Sequence, residues 1–241
     1  MFNSRLPLRS KTMLQKSTLD FLAELRLNNN KMWFDENRAG YEESKADVLQ
    51  LAEQLLRGLS EADPDLLPLK AADCLFRINR DVRFSADKSP YKSNMGFWMS
   101  RGGKKSPDAG YYVHIEPGGK SFVAAGIYAP EPKVLKLIRQ EILYGFEEFK
   151  CIIENQRFRD FFDGVELPGH KAARVPRDFD ANHPAADFLK LKSIVAVYAL
   201  DDEVLVSRTL LPTVLSVFSA ALPLVRFLNL PIDDVKGRGK D

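Results

Sequence analysis

The chain has 241 residues, 45% of them hydrophobic and 28% charged, with a formal net charge of +2 at pH 7. That length suits one large domain or two small ones around a substantial core. The near-neutral balance excludes attraction to nucleic acid through overall charge, so any polyanion site must arise from local clustering.

Residues 1 to 19 carry Arg5, Arg9, Lys11 and Lys16 and no acid. They loosely resemble an organelle transit peptide, but no secretory apolar stretch follows, and a basic arm over residues 1–16 is the simpler reading. Ser17 and Asp20 mark a helix start that carries Phe21, Leu22 and Leu25 inward, and Asn28-Asn29-Asn30 stops it. A longer helix from Lys31 places Trp33, Phe34, Tyr41, Val48, Leu51, Leu55 and Leu59 mostly three or four residues apart.

The middle of the chain changes period. Residues 74–84 alternate, with Phe76, Ile78, Val82 and Phe84 on one face and Arg77, Asn79, Asp81 and Arg83 on the other, which predicts a strand. Further strands are expected at 96–100, 111–116 and 121–128, with Pro117-Gly118-Gly119 as a hairpin turn. Pro130-Glu131-Pro132 opens a helix to Leu143, a shorter helix covers 146–155, and 163–184 is irregular. A short helix follows His183-Pro184, and a buried strand covers 194–200. A helix from Leu211 to Phe227 takes in an uncharged run too short and too rich in Pro, Ser and Thr to suit a membrane span. Residues 231–241 read as a flexible tail. The order of elements predicts an α+β fold, an antiparallel sheet of four to six strands packed by N- and C-terminal helices, forming a single domain over residues 17–230.

The densest chemistry lies between residues 74 and 105. Eight basic residues (Arg77, Arg80, Arg83, Lys88, Lys92, Arg101, Lys104, Lys105) face two acids, Asp81 and Asp87, a local balance of +6. Arg80 falls on the apolar face of the predicted strand, where a guanidinium must be paired, so it is expected to be a structural clamp. Arg77 and Arg83 share the opposite face about 20 Å apart, at ~3.3 Å per residue, which suits an extended anion or two separate partners. Residues 85–92 form a Ser-Pro turn holding Lys88 and Lys92, with Tyr91 as a stacking ring. The turn lacks the glycines of a phosphate loop.

The segment from Phe76 to Lys92 resembles the hallmark of the domain-of-unknown-function 2461 family. Asn28-Asn29-Asn30-Lys31-Met32-Trp33-Phe34, Gly110-Tyr111-Tyr112-Val113-His114-Ile115-Glu116-Pro117 and Gly126 to Pro132 match it too, as do His183-Pro184 and Leu189 to Lys192. The resemblance covers about residues 17–230. It implies a single intracellular α+β domain and brings no assigned reaction, cofactor or catalytic residue.

Two cysteines, Cys74 and Cys151, are too few for a disulfide framework and suit a reducing, cytoplasmic setting. His114, His170 and His183 are scattered, so no metal site is indicated. His114 is the best acid–base candidate, sharing a strand face with Tyr112 and Glu116, and Asp81 is a second candidate. Ser85 or Cys74 as nucleophile lacks a base that can be placed. Three readings follow. The first is a module binding a phosphorylated small molecule or nucleic acid through Arg77, Arg83, Lys88, Tyr91 and Lys92. The second is a hydrolase or phosphoryl-type transferase using His114 or Asp81, with arginines stabilising charge. The third is an interaction scaffold whose arginines are paired internally.

Overall fold

The protein is described here by a computed structural model covering residues 13–236. Most of the basic arm (residues 1–12) and the end of the tail (residues 237–241) lie outside the described residues.

The N-terminal helices form where the apolar spacing places them. Helix α1 (Lys16–Leu27) buries Leu19, Phe21, Leu22 and Leu25 along one stripe. Its N-cap position is Gln15 rather than Ser17, and the cap comes from another helix: the Gln15 amide and the Thr18 hydroxyl both donate to Asp47 Oδ2, each at 2.7 Å. The long helix expected from Lys31 is two, α2 (Lys31–Glu36) and α3 (Arg38–Ser60). The three asparagines between α1 and α2 divide the work. Asn28 is the C-cap of α1, and Asn30 Oδ1 accepts the Trp33 amide at 3.0 Å to cap α2. Asn29 exchanges two bonds with the backbone of Tyr91, at 2.9 and 3.0 Å.

Four strands make one antiparallel sheet in the order β1-β2-β3-β4: β1 (Met95–Met99), β2 (Gly110–Ile115), β3 (Ser121–Ile127) and β4 (Ile194–Leu200). Gly118 and Gly119, at φ 89° and 71°, turn the chain between β2 and β3, and both amides donate to the Asp202 carboxylate. After β3 come α5 (Pro132–Tyr144), α6 (Phe146–Glu154), α7 (Gln156–Arg159) and α8 (Ala186–Leu189), and after β4 come α9 (Asp202–Leu205) and α10 (Leu210–Lys236).

Period-2 alternation splits the sheet into two unlike faces. Phe97, Met99, Tyr111, Val113, Ile115, Val123 and Ala125 are buried, against α10 over β3 and α3 over β1. The Tyr111 and Phe218 rings meet at 5.1 Å in that layer. Trp98, Tyr112, His114, Phe122 and Val197 point the other way, where no helix among the described residues covers the middle of the sheet. Helix α10 runs to Lys236, nine residues beyond the expected end, and takes in Pro223 and Pro231. By length and composition it could cross a membrane. Here Val214, Val217, Phe218, Ala221, Leu224 and Leu228 are buried in the core. The fold is α+β, as the order of elements predicted.

One predicted strand is absent. Residues 71–74 form a single helical turn, α4, and 75–92 run as an irregular loop that meets β1 through an isolated bridge, Leu75 to Phe97, and closes on itself through another, Asn79 to Tyr91. The alternation was real only in part: Ile78 is buried, but Phe84 is 96% exposed. Seven charged side chains in this stretch find partners within the loop or in water more readily than a ladder could supply them.

Candidate functional site

The loop 75–92 braces itself. Arg80 donates to Asp87, to the Ser89 carbonyl at 3.2 Å and to Ser85 Oγ at 3.4 Å. Arg83 binds Asp81 in two places, through Nε at 2.9 Å and Nη2 at 2.6 Å. Lys88 donates to the Val82 carbonyl at 3.0 Å. Tyr91, expected as a stacking ring for a ligand, is buried and stacks instead on Phe34 with centroids 3.9 Å apart. Arg80 is therefore a clamp of its own loop, half-buried, with an exposed acid as partner. Arg77 is exposed and makes no hydrogen bond or ion pair among the described residues.

Asp87 is held at about 2, below its ordinary 3.8, first by the Ser89 hydroxyl and amide and then by Arg80. A depressed carboxylate stabilises the fold above its unfolded value and loses that effect as pH falls through the folded value. The brace should therefore be complete at pH 5 and lost only between about 4 and about 2. A carboxyl-detected NMR titration of Asp87 checks this, and a midpoint at the ordinary value would show that the brace does not exist in solution.

The concave surface lies beside this loop, on the uncovered face of the sheet. It is a groove of about 950 Å³ floored by Trp98, Tyr112, Phe122 and Ala124, with Tyr128 to Glu131 along one wall. At one end stands Phe76, edge-on to Tyr112 at 6.1 Å. The ammonium groups of Lys92 and Lys104 lie 5.6 and 5.8 Å from the centre of the Phe76 ring. Partial burial, and then the Arg77 guanidinium, hold the Lys92 ammonium below its ordinary value. Two cations kept together on one ring, with a third lysine, Lys105, beside them, make an anion-accepting end.

Deeper along β2, three side chains on one face form a chain. The Tyr112 hydroxyl lies 3.1 Å from His114 Nδ1, and His114 Nε2 lies 3.1 Å from Glu116 Oε2. The imidazole also stacks on Phe122, with centroids 4.7 Å apart and planes 15° apart. Gly96 sits opposite His114 on β1, and a Cβ there would come within 2.8 Å of the Tyr112 oxygen, so glycine leaves the phenol its place. Burial first, then the Glu116 carboxylate, push the Tyr112 phenol up to about 12. The carboxylate that reaches His114 is thus Glu116, while Asp81 is engaged by Arg83.

Of the residues expected to bind a ligand, the structure brings Lys92 to this groove and leaves Arg83 and Lys88 on the braced loop. Lys104 and Phe76 were not legible as site residues, because the predicted strand put Phe76 in the core. Cys74 is buried, and that burial pushes its thiol up, which suits packing rather than nucleophilic attack. No group of three His, Cys, Asp or Glu among the described residues is placed to hold a metal ion.

A second guanidinium outweighs Arg80 as a clamp. Arg101 donates Nη1 to Asp233 Oδ2 at 2.8 Å, and Nη2 to Asp108 Oδ1 and the Asn229 carbonyl at 3.3 Å each. It ties the β1–β2 connection to the end of α10.

No curated protein and no solved structure matches the chain. The family described as conserved hypothetical protein, DUF2461, matches residues 17–227. The chain belongs to that family.

Proposed function

We propose that the protein binds a phosphorylated small molecule with a flat, apolar body in the groove on the open sheet face. The observation that carries this reading is the Lys92 and Lys104 ammonium groups gathered on the Phe76 ring, beside a floor made of Trp98, Tyr112 and Phe122. The aromatic floor suits a planar or apolar body, and the lysine end suits a phosphate. A volume of about 950 Å³ fits a ligand of nucleotide size rather than a long polymer. The anion site thereby moves from the arginine loop to the groove, with Lys92 the residue common to both. The internal pairing of Arg80 and Arg83 favours a scaffold role for that loop.

Thermal-shift assays with nucleoside monophosphates, aryl phosphates, their uncharged counterparts and inorganic phosphate, at two salt concentrations, test this. A ligand at a hundred times its Kd adds about 2.7 kcal/mol of stability. The largest, salt-sensitive shift is expected from compounds carrying both ring and phosphate. Replacing both Lys92 and Lys104 with glutamine should weaken binding at least about tenfold, at ~1.5–3 kcal/mol per charged hydrogen bond, and Arg83→Ala should leave it unchanged. The reverse pattern would return the site to the arginine loop.

A further inference from the structure

We propose that Tyr112, His114 and Glu116 form a proton relay that takes a proton from an acidic X–H group of the ligand, making the groove a general-base site. The inference rests on the groove being a ligand site and adds the chemistry done there.

The tautomer follows from the partners. Glu116 offers only acceptor oxygens to His114 Nε2 at 3.1 Å, so Nε2 carries the proton and Nδ1 is left with a lone pair. That lone pair accepts the Tyr112 O–H at 3.1 Å. With its own hydrogen directed to His114, the phenol oxygen can turn only lone pairs to the groove that Tyr112 lines. A ligand donor meeting that oxygen has a path for its proton. The X–H bond breaks and its electron pair stays on X. The proton joins the Tyr112 oxygen while the former phenolic proton passes to His114 Nδ1. The products are the ligand anion, a neutral phenol and an imidazolium facing the Glu116 carboxylate. No phenolate forms, which matters because the Tyr112 environment resists one.

The surroundings favour the charge that develops. β1 brings only Gly96 opposite the imidazole, and β3 brings Phe122, stacked on it. Against this, Lys120 lies 3.5 Å from the other oxygen of Glu116 and offsets part of the attraction that the carboxylate offers the imidazolium. Tyr112 is the catalytic residue, because it meets the ligand. His114 and Glu116 act through it as positioning and proton-storing residues.

Two measurements test the relay. In the free protein, nitrogen NMR of labelled histidine should find His114 with Nε2 protonated and Nδ1 bare at neutral pH, and Glu116→Gln should mix the tautomers. A protonated Nδ1 in the parent overturns the proposal whatever the ligand proves to be. The second uses 4-nitrocatechol sulfate, which joins an anion to a flat ring bearing a phenol whose ionisation is visible. Bound to the parent, its ionisation midpoint should fall by about one pH unit or more, a tenfold shift in the equilibrium. Tyr112→Phe and His114→Gln should keep the thermal shift and return the midpoint towards that of the free dye. A midpoint still lowered in Tyr112→Phe would assign the effect to the lysines and overturn the relay. No thermal shift from any anionic aromatic would instead remove the binding reading, leaving the histidine spectrum to decide the tautomer.

Discussion

Arg101→Ala should lower the stability of the protein by about 3–5 kcal/mol, the cost of breaking a buried charge pair from one side. The guanidinium side chain is 13% exposed, and the Asp108 side chain it faces is fully buried. Burial works against the Arg101 charge, and Asp233 and Asp108 outweigh it, so its ordinary high value is raised further. Removing the cation takes away the guanidinium that the buried Asp108 carboxylate faces, and removes a donor from the Asn229 carbonyl at the end of α10. Urea unfolding should report a lower midpoint with an unchanged slope. Adding Asp108→Asn to Arg101→Met should recover part of the loss, because the charge of the fully buried Asp108 then leaves with the guanidinium while Asp233 keeps its own. A single variant within about 1 kcal/mol of the parent would show that the clamp is solvated in solution.

Gly126→Ala is expected to be nearly as damaging. Gly126 has φ 133°, and a Cβ there would lie 2.1 Å from the Ile194 carbonyl oxygen and 3.0 Å from Val195 Cα, both backbone atoms of the paired strand. The conformation alone costs about 1–3 kcal/mol in a residue with a side chain. The contact can be relieved only by moving β4 away from β3, so about 3 kcal/mol or more is expected in all. Because Gly126 also lines the groove, ligand affinity should fall with stability. Gly103→Ala is the control, with a positive φ of 75° and open space around its Cβ, and should cost about 1–2 kcal/mol. Equal losses at the two positions would mean that strand spacing is not what Gly126 protects.

Much of this architecture was legible because it rests on local patterns. The four strands at 95–127 and 194–200 follow from alternation and from the Pro117-Gly118-Gly119 turn, and the shared face of Tyr112, His114 and Glu116 follows from the same period. The segment 75–84 misled because its alternation had no neighbouring strand to pair with along its length. Tyr91 misled for a related reason. Its surroundings in sequence are charged, but Asn29 and Phe34, some sixty residues away, draw it into the core. Arg101 could not be separated from seven other basic residues, since its partners Asp233 and Asn229 come from the far end of the chain. The Asp47 cap on α1 was hidden in the same way. In each case a contact distant in sequence decided the role.

The order of the sheet has a consequence for synthesis. β1, β2 and β3 form a meander within residues 95–127, whereas β4 begins at Ile194. At roughly 5–20 residues per second, residues 128–193 take several seconds to emerge from a ribosome. Throughout that interval the outer edge of β3, Ser-Phe-Val-Ala-Ala-Gly-Ile, carries unpaired amides and no charge. It is a template for any other extended chain, including a second nascent copy. The uncharged edge strand is thus the point at which this protein is most exposed to aggregation, and expression at low temperature or with chaperones should raise its soluble yield.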